Sequence, residues 1–284
     1  MPIQWYPGHM AKAKRQMEEK MKLIDVIIEL VDARIPISSR NPMVDEIAGT
    51  KPRLLILNKS DLADQNKNDE WIDYFRNTGN GALTVNAQTA TGVANIPDAV
   101  RELTASRRQK SEKKGVRPRA DRALILGIPN VGKSTLINRL AGRKIAKIGD
   151  RPGITKGQQW IKVGKTMELL DTPGILWPKF DDEIVGLRLA ATGAIKDELL
   201  DYQEIAAFIL KFMRVNYPSF LIERYQLAEP LERDTILLFD EIGKKRGCLM
   251  AGARIDYDKT AEIIVRDFRS QKLGRVTLEA PADY

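Results

Sequence analysis

Ala123-Leu124-Ile125-Leu126 runs into Gly127-Ile128-Pro129-Asn130-Val131-Gly132-Lys133-Ser134, and this junction decides the fold. The four apolar residues read as a buried strand. The next eight match G-x-x-x-x-G-K-[ST], and Thr135–Leu140 continues at helical spacing. Strand, glycine-bearing loop and helix in that order make a phosphate-binding turn. Backbone N–H groups of Asn130, Val131, Gly132 and Thr135 and the helix N-terminus supply partial positive charge for phosphate oxygens. Lys133 adds a full charge at the β- and γ-phosphates, and the Ser134 hydroxyl offers an oxygen to Mg²⁺.

Outward from this loop, Val26–Val31, Arg53–Leu57 and Ala82–Val85 are further short apolar runs that end in polar or Gly/Pro residues, the pattern of buried strands. Gln159–Val163 and Met167–Leu170 flank Gly164-Lys165, which predicts an antiparallel hairpin. Helical stretches such as Asp69–Arg76 and Ile96–Lys110 lie between strands. The alternation predicts an α/β domain, a mostly parallel sheet with helices on both faces. Past Pro178 the strand signals fade, and apolar residues recur at helical spacing through Ile205–Phe212, Thr235–Ile242 and Thr260–Phe268. The expected organisation is an α/β domain over 1–180 and a mostly helical domain over 181–284.

Asp171-Thr172-Pro173-Gly174 closes the strand Met167–Leu170. An aspartate there holds Mg²⁺ through water, and the Gly174 N–H meets the γ-phosphate. Thr155, in Pro152-Gly153-Ile154-Thr155, lies between the two motifs, where a threonine completes the Mg²⁺ shell. Alone, Thr155 and Asp171 each read as turn residues; in order after a phosphate loop they read as switch residues. Asn58-Lys59-Ser60-Asp61 follows the strand Arg53–Leu57. The Asp61 carboxylate can accept from both the guanine N1–H and its exocyclic amine, a donor pair that adenine lacks, so the nucleotide expected is GTP and its product GDP. Asn58 ties the base to the loop and the Lys59 stem lies over its face. Asn86-Ala87-Gln88, after the next strand, would put a backbone N–H on the guanine oxygen.

The composition of the 284 residues limits the alternatives. Hydrophobic residues at 43% and charged residues at 30% suit a globular chain. One cysteine, Cys248, excludes an internal disulfide framework, and one histidine, His9, excludes multi-histidine metal sites. No apolar run approaches the roughly 18 residues of a membrane span, so no membrane partner and a cytoplasmic location are expected. The net charge of +8 favours an acidic partner. Arg101–Arg122 holds nine basic and three acidic residues, and Arg139–Lys165 eight and one. Asp201–Tyr284 holds thirteen basic and fourteen acidic, so Lys244-Lys245-Arg246 and the trio Arg266, Arg269, Lys272 read either as nucleic-acid phosphate contacts or as solvated faces.

The base-reading motif precedes the phosphate loop, the reverse of the usual order. A circular permutation preserves contacts and moves only the breaks, with Arg101–Arg122 as the join between the old ends. That order, Trp5-Tyr6-Pro7-Gly8-His9-Met10 at the start, Asp32-Ala33-Arg34 after the first strand and Leu176-Trp177-Pro178-Lys179 together resemble the circularly permuted GTPases, in particular their bacterial ribosome-biogenesis branch, over essentially the whole chain. The resemblance implies a permuted P-loop GTPase domain, hydrolysis of GTP stimulated by the ribosome, and partnership with the large (50S) ribosomal subunit precursor and its rRNA; a monomer is expected when free. A GTP-dependent RNA-binding switch with incidental hydrolysis, or a permuted GTPase with another ribosomal target, are the alternatives.

Many GTPases carry a water-orienting glutamine directly after Asp-x-x-Gly. Here that position is Ile175, whose alkyl chain makes no hydrogen bond. The resemblance assigns the water-positioning role to His9; the alternative is a surface or capping histidine. It also likens Asn130 to the asparagine of GTPases that bind K⁺ beside the phosphates; the alternative is a loop-stabilising side chain.

Overall fold

Val26–Asp32 (β1) is buried at all seven positions because strands flank it on both sides and helices cover both its faces. β2 (Arg53–Asn58) pairs with it in parallel on one side, and β4 (Asp121–Gly127) on the other. β3 (Gly81–Thr84) extends the sheet beyond β2, and β6 (Met167–Asp171) lies parallel beside β4. Among the described residues β5 (Gln159–Val163) is the one antiparallel strand of the sheet, joined to β6 through Gly164, whose φ of 57° is the left-handed turn geometry that the Gly164-Lys165 pair signals. The computed structural model describes residues 20–117, 119–145, 159–171, 182–195, 201–229, 231 and 234–284.

The sheet order is β3-β2-β1-β4-β6-β5. Counted from β4 as though the chain began there, it becomes second, third, first, fourth, fifth, sixth, read from the β5 edge. The winding reverses at β4, so a crevice opens at the carboxyl ends of β4 and β1, where open α/β sheets bind ligands. The register places Leu30 beside Gly127, Asp32 beside Asn58 and Ile125 beside Asp171. Three motifs far apart in sequence thus reach the same end of the sheet.

Around it pack α1 (Pro42–Ala48), α2 (Gln65–Asn77), α3 (Ile96–Leu103), α4 (Ala105–Lys113) and α5 (Lys133–Ala141). Asp64 caps α2 by accepting from the N–H groups of Asn66 and Lys67. That helix buries Trp71 and Phe75, stacked with ring centroids 5.5 Å apart, against Leu55, Leu57 and Ala82. The helix expected over Ile96–Lys110 is broken at Thr104, whose hydroxyl turns back to the carbonyls of Val100 and Arg101.

The basic join is fastened rather than free. Arg107 and Arg108 both reach Asp121 at the start of β4, at 2.5 and 2.9 Å, and Arg119 makes a two-pronged contact with Asp25, just ahead of β1. Residues that count as a nucleic-acid patch by charge alone are therefore partly spent in closing the permuted chain onto two adjacent strands.

The chain divides into two units, one of residues 1–180 with 279–284, the other of residues 181–278. This differs from the boundary expected from sequence in the last six residues, which lie with the α/β unit. The second unit contains α6 (Glu183–Ala191), α7 (Tyr202–Asn216), α8 (Pro218–Tyr225), α9 (Thr235–Lys245) and α10 (Tyr257–Arg269). α7 and α10 form its core through Ile205, Ile209, Leu210, Met213, Ile264, Val265 and Phe268. Aspartates 201, 234 and 256 cap three of its helices through their carboxylates. Five of the six basic side chains named from sequence have local partners. Arg246 lies over the Tyr225 ring, Lys245 reaches the Gln226 carbonyl, Arg266 faces Glu262, Arg269 donates to the Ala190 and Ala191 carbonyls, and Lys272 faces Asp267. Lys272 lies past the end of α10, so the trio does not lie on one helix. Among the described residues no single helix is long and apolar enough to cross a membrane.

Candidate functional site

β4 delivers the chain to Gly127, where a side chain would press on the Leu30 carbonyl and on Val131. The loop then takes left-handed geometry twice, at Asn130 (φ 60°) and Gly132 (φ 97°). Alternation of left- and right-handed residues turns successive N–H groups to one side, the geometry of an anion-binding concavity. α5 starts at Lys133 and buries Leu136 and Ile137, which fixes its N-terminus at the loop. Ser134 and Thr135 are half-buried in the first turn.

Lys133 is 7% exposed and donates to Asp171 Oδ1 at 2.7 Å. Burial pushes the Lys133 ammonium below the usual lysine range, and Asp171 works against that. Asp171 is fully buried, and its Oδ2 has no hydrogen-bond partner among the described residues. A buried carboxylate oxygen beside the phosphate loop with one face unsatisfied fits a group that sits over or near a hydrated Mg²⁺. The two residues expected to divide phosphate and metal between them are brought together, facing each other.

The base-reading side is built on Asn58, at the end of β2 and 3% exposed. Its Nδ2 donates to the Val131 carbonyl in the phosphate loop at 2.7 Å, and its Oδ1 accepts from the Ala87 N–H at 3.0 Å. One amide thus staples the phosphate loop to the loop after β3. Gly132 has to be glycine here, since a Cβ would collide with Asn58 Nδ2. Asn86 Oδ1 accepts from the N–H groups of Gln88 and Thr89, and Arg139 on α5 donates to the Ala87 and Gln88 carbonyls. The N–H groups of Ala87 and Gln88, expected on the guanine oxygen, are therefore engaged within the protein. Asn58, expected to tie the base, ties loop to loop.

Lys59 (φ 58°) turns back towards β1 and meets Asp32 Oδ2 at 2.9 Å. Arg34 grips the same carboxylate at 2.9 and 2.8 Å. Burial opposes ionisation of Asp32, but Arg34 and Lys59 outweigh it and hold its carboxyl far below the usual carboxylate range. Burial pushes Lys59 down, with Asp32 opposing. Asp61 stands half-buried two residues on. The string Asp32-Ala33-Arg34 does not by itself show work to do; its place directly after a buried strand, at the same sheet end as Asn58, is the signal that marks it. Arg139 carried no such signal. His9, Thr155 and Gly174 lie outside the described residues.

A family model described as "50S ribosome-binding GTPase" matches residues 122–239, a stretch that starts in β4 and leaves the base-reading motif ahead of it. Over 284 residues the chain is 60% identical to "Ribosome biogenesis GTPase A" of Bacillus cereus, covering all of this chain and 96% of that protein. It is 31% identical over 281 residues to the protein of the same name from Thermotoga maritima, covering 99% and 95%. Among solved structures, the GDP-bound structure of T. maritima YlqF is similar with a TM-score of 0.65 at 25% identity, covering 95% of this chain and 100% of that one. The GNP-bound YlqF crystal structure from the same organism follows at 0.64 and 26%, covering 95% and 98%.

Proposed function

This chain belongs to the ribosome biogenesis GTPase A family, and on that premise we propose that it binds GTP at the β4–β1 crevice and hydrolyses it during assembly of the large ribosomal subunit in the cytoplasm, on contact with precursor rRNA. The observation that carries the nucleotide reading is the Asn58 staple, which joins a phosphate cradle to a guanine-reading motif at one sheet end. Val131, Gly132, Lys133, Ser134 and Thr135 hold the phosphates, Asp61 selects guanine, and the Lys59 stem covers it. Ser134, Asp171 and Thr155 would hold Mg²⁺, whose chemistry when bound is to neutralise charge on the β- and γ-oxygens. Gly174 would donate its N–H to the γ-phosphate.

Ile175 cannot orient water. On our reading His9 does so on the ribosomal particle, and Asn130 helps hold a K⁺ ion beside the phosphates. The isolated protein should then turn over no faster than slow intrinsic GTPases, on the order of 10⁻³ s⁻¹ or less, and large-subunit precursors should raise the rate. His9→Ala should keep GTP affinity and lose the stimulated part of the rate, by about 10²–10⁴-fold. Equal rates with and without particles would refute the claim that the ribosome completes the site. They would favour the second reading, an RNA-binding switch with incidental hydrolysis, which Ile175 also supports. Sedimentation with 50S rather than 30S particles in the presence of a GTP analogue tests the choice of subunit.

A further inference from the structure

Lys59 is held by residues that belong to neither nucleotide motif. The parallel register sets Asp32 beside Asn58, so the last residue of β1 lies next to the start of the base-reading turn. Asp32 and Arg34 are each 3% exposed. One buried carboxylate serves two cations, with the Arg34 guanidinium in a two-pronged grip and the Arg34 N–H on Oδ1 at 3.1 Å. Neutralising Asp32 needs only one cation. A second cation held against the same buried carboxylate, its side chain 25% exposed, gives up freedom and hydration for nothing unless its position matters.

The loop carrying Arg34 is itself anchored. The Asp32 N–H donates to Ser39 Oγ at 2.9 Å, and that hydroxyl donates to the Ile35 carbonyl at 2.7 Å. The N–H groups of Ile37 and Ser38 donate to the Glu279 carboxylate at 2.7 and 3.0 Å, and so does the Ser38 hydroxyl. Glu279 is 2% exposed; Trp71 Nε1 donates to its carbonyl at 3.4 Å and Tyr284 to its carboxylate at 3.3 Å.

We propose that Asp32, braced by Arg34, is the positioning residue that sets the Lys59 stem against the guanine plane, and that Glu279 holds the loop in which this brace is built. The inference rests on the reading of Asn58–Asp61 as the base-reading motif. Asp32 touches no nucleotide; it acts by fixing a long, rotamer-rich side chain before the base arrives, which removes an ordering cost from binding.

A double-mutant cycle on the full chain tests this, with fluorescent GDP titrated into wild type, Asp32→Asn, Lys59→Ala and the double variant. Asp32→Asn should weaken GDP binding about tenfold alone and less than about twofold when Lys59 is already alanine. Glu279→Gln should show a smaller loss with the same dependence on Lys59. If Asp32→Asn does not fold, Arg34→Lys replaces it, since Arg34 contacts the carboxylate and leaves the cycle intact. Equal losses in both Lys59 backgrounds, or a lower melting temperature with unchanged GDP affinity, would overturn the proposal. Failure of the underlying motif reading looks different, because Asp61→Asn would then keep its guanine preference.

Discussion

Replacing Asn58 by alanine removes a side chain that joins the phosphate loop to the Ala87 loop. The Val131 carbonyl and the Ala87 N–H lose their partner in a place where Asn58 itself is 3% exposed. A buried backbone group without a partner costs about 1–3 kcal/mol, so two would cost about 2–6 kcal/mol. Water entering the gap left by the amide recovers part of that, which brings the expected loss to about 2–3 kcal/mol. Nucleotide binding needs both loops in register, so if half of this appears in affinity, GDP should bind about tenfold more weakly. Thermal unfolding without nucleotide and titration with fluorescent GDP read the two parts separately. Asn58→Asp sharpens the test. It keeps an acceptor for the Ala87 N–H but sets a carboxylate oxygen where Nδ2 now lies 2.7 Å from the Val131 carbonyl. That carboxyl donates only when protonated, so its folded pKa is raised. Its stabilising contribution is present at low pH and lost as pH rises through the folded value, and the deficit against wild type should shrink on acidification. An alanine variant that melts with wild type and binds GDP equally well would refute the staple. So would an aspartate variant that is unimpaired at neutral pH.

Other outcomes follow from the same geometry. Asp61→Asn should weaken GTP binding and shift preference towards xanthine nucleotides, because the amide presents a donor where the guanine amine needs an acceptor; competition between GDP and XDP measures it. Exchanging Na⁺ for K⁺ at constant ionic strength should speed hydrolysis in wild type and leave Asn130→Ala unmoved; a variant that still responds removes Asn130 from ion binding. Arg34 and Lys59 depress the Asp32 carboxyl against its burial, so its contribution is complete above the ordinary value of 3.8 and is lost as pH falls through the folded one. The gap in melting temperature between wild type and Asp32→Asn should stay level from about pH 7 to about pH 5 and close only in stronger acid.

The sheet was legible because its strands are short and apolar, and their buried runs end in loop residues of polar or glycine-bearing motifs. The antiparallel edge was legible from Gly164. Three helices were less so. Pro42–Ala48, Glu183–Ala191 and Pro218–Tyr225 are each under three turns, too short for a periodic pattern to stand out. The break at Thr104 depends on a hydroxyl turning back to its own helix, which hydrophobic spacing does not encode. The site's motifs were readable one by one, since each is a local string. Their mutual contacts were not, because the Asn58 staple, the Lys133–Asp171 pair and the Asp32 brace join residues that meet only through the sheet register.

Glu279 and Ser38 are 241 residues apart in the chain. Contacts of such separation are slow to form, because a very long loop must close before anything is gained. In a chain synthesised from its N-terminus, β1 and the turn that follows it emerge early, whereas their fastening arrives after the whole of the helical unit has been made. Until then the backbone N–H groups of Ile37 and Ser38 lack the carboxylate that satisfies them. A nascent α/β unit would thus carry all its nucleotide motifs and still have a loosely set base pocket. Maturation of the pocket therefore waits for a segment made after the helical unit, so that a chain lacking Glu279 is impaired at a place encoded 241 residues earlier.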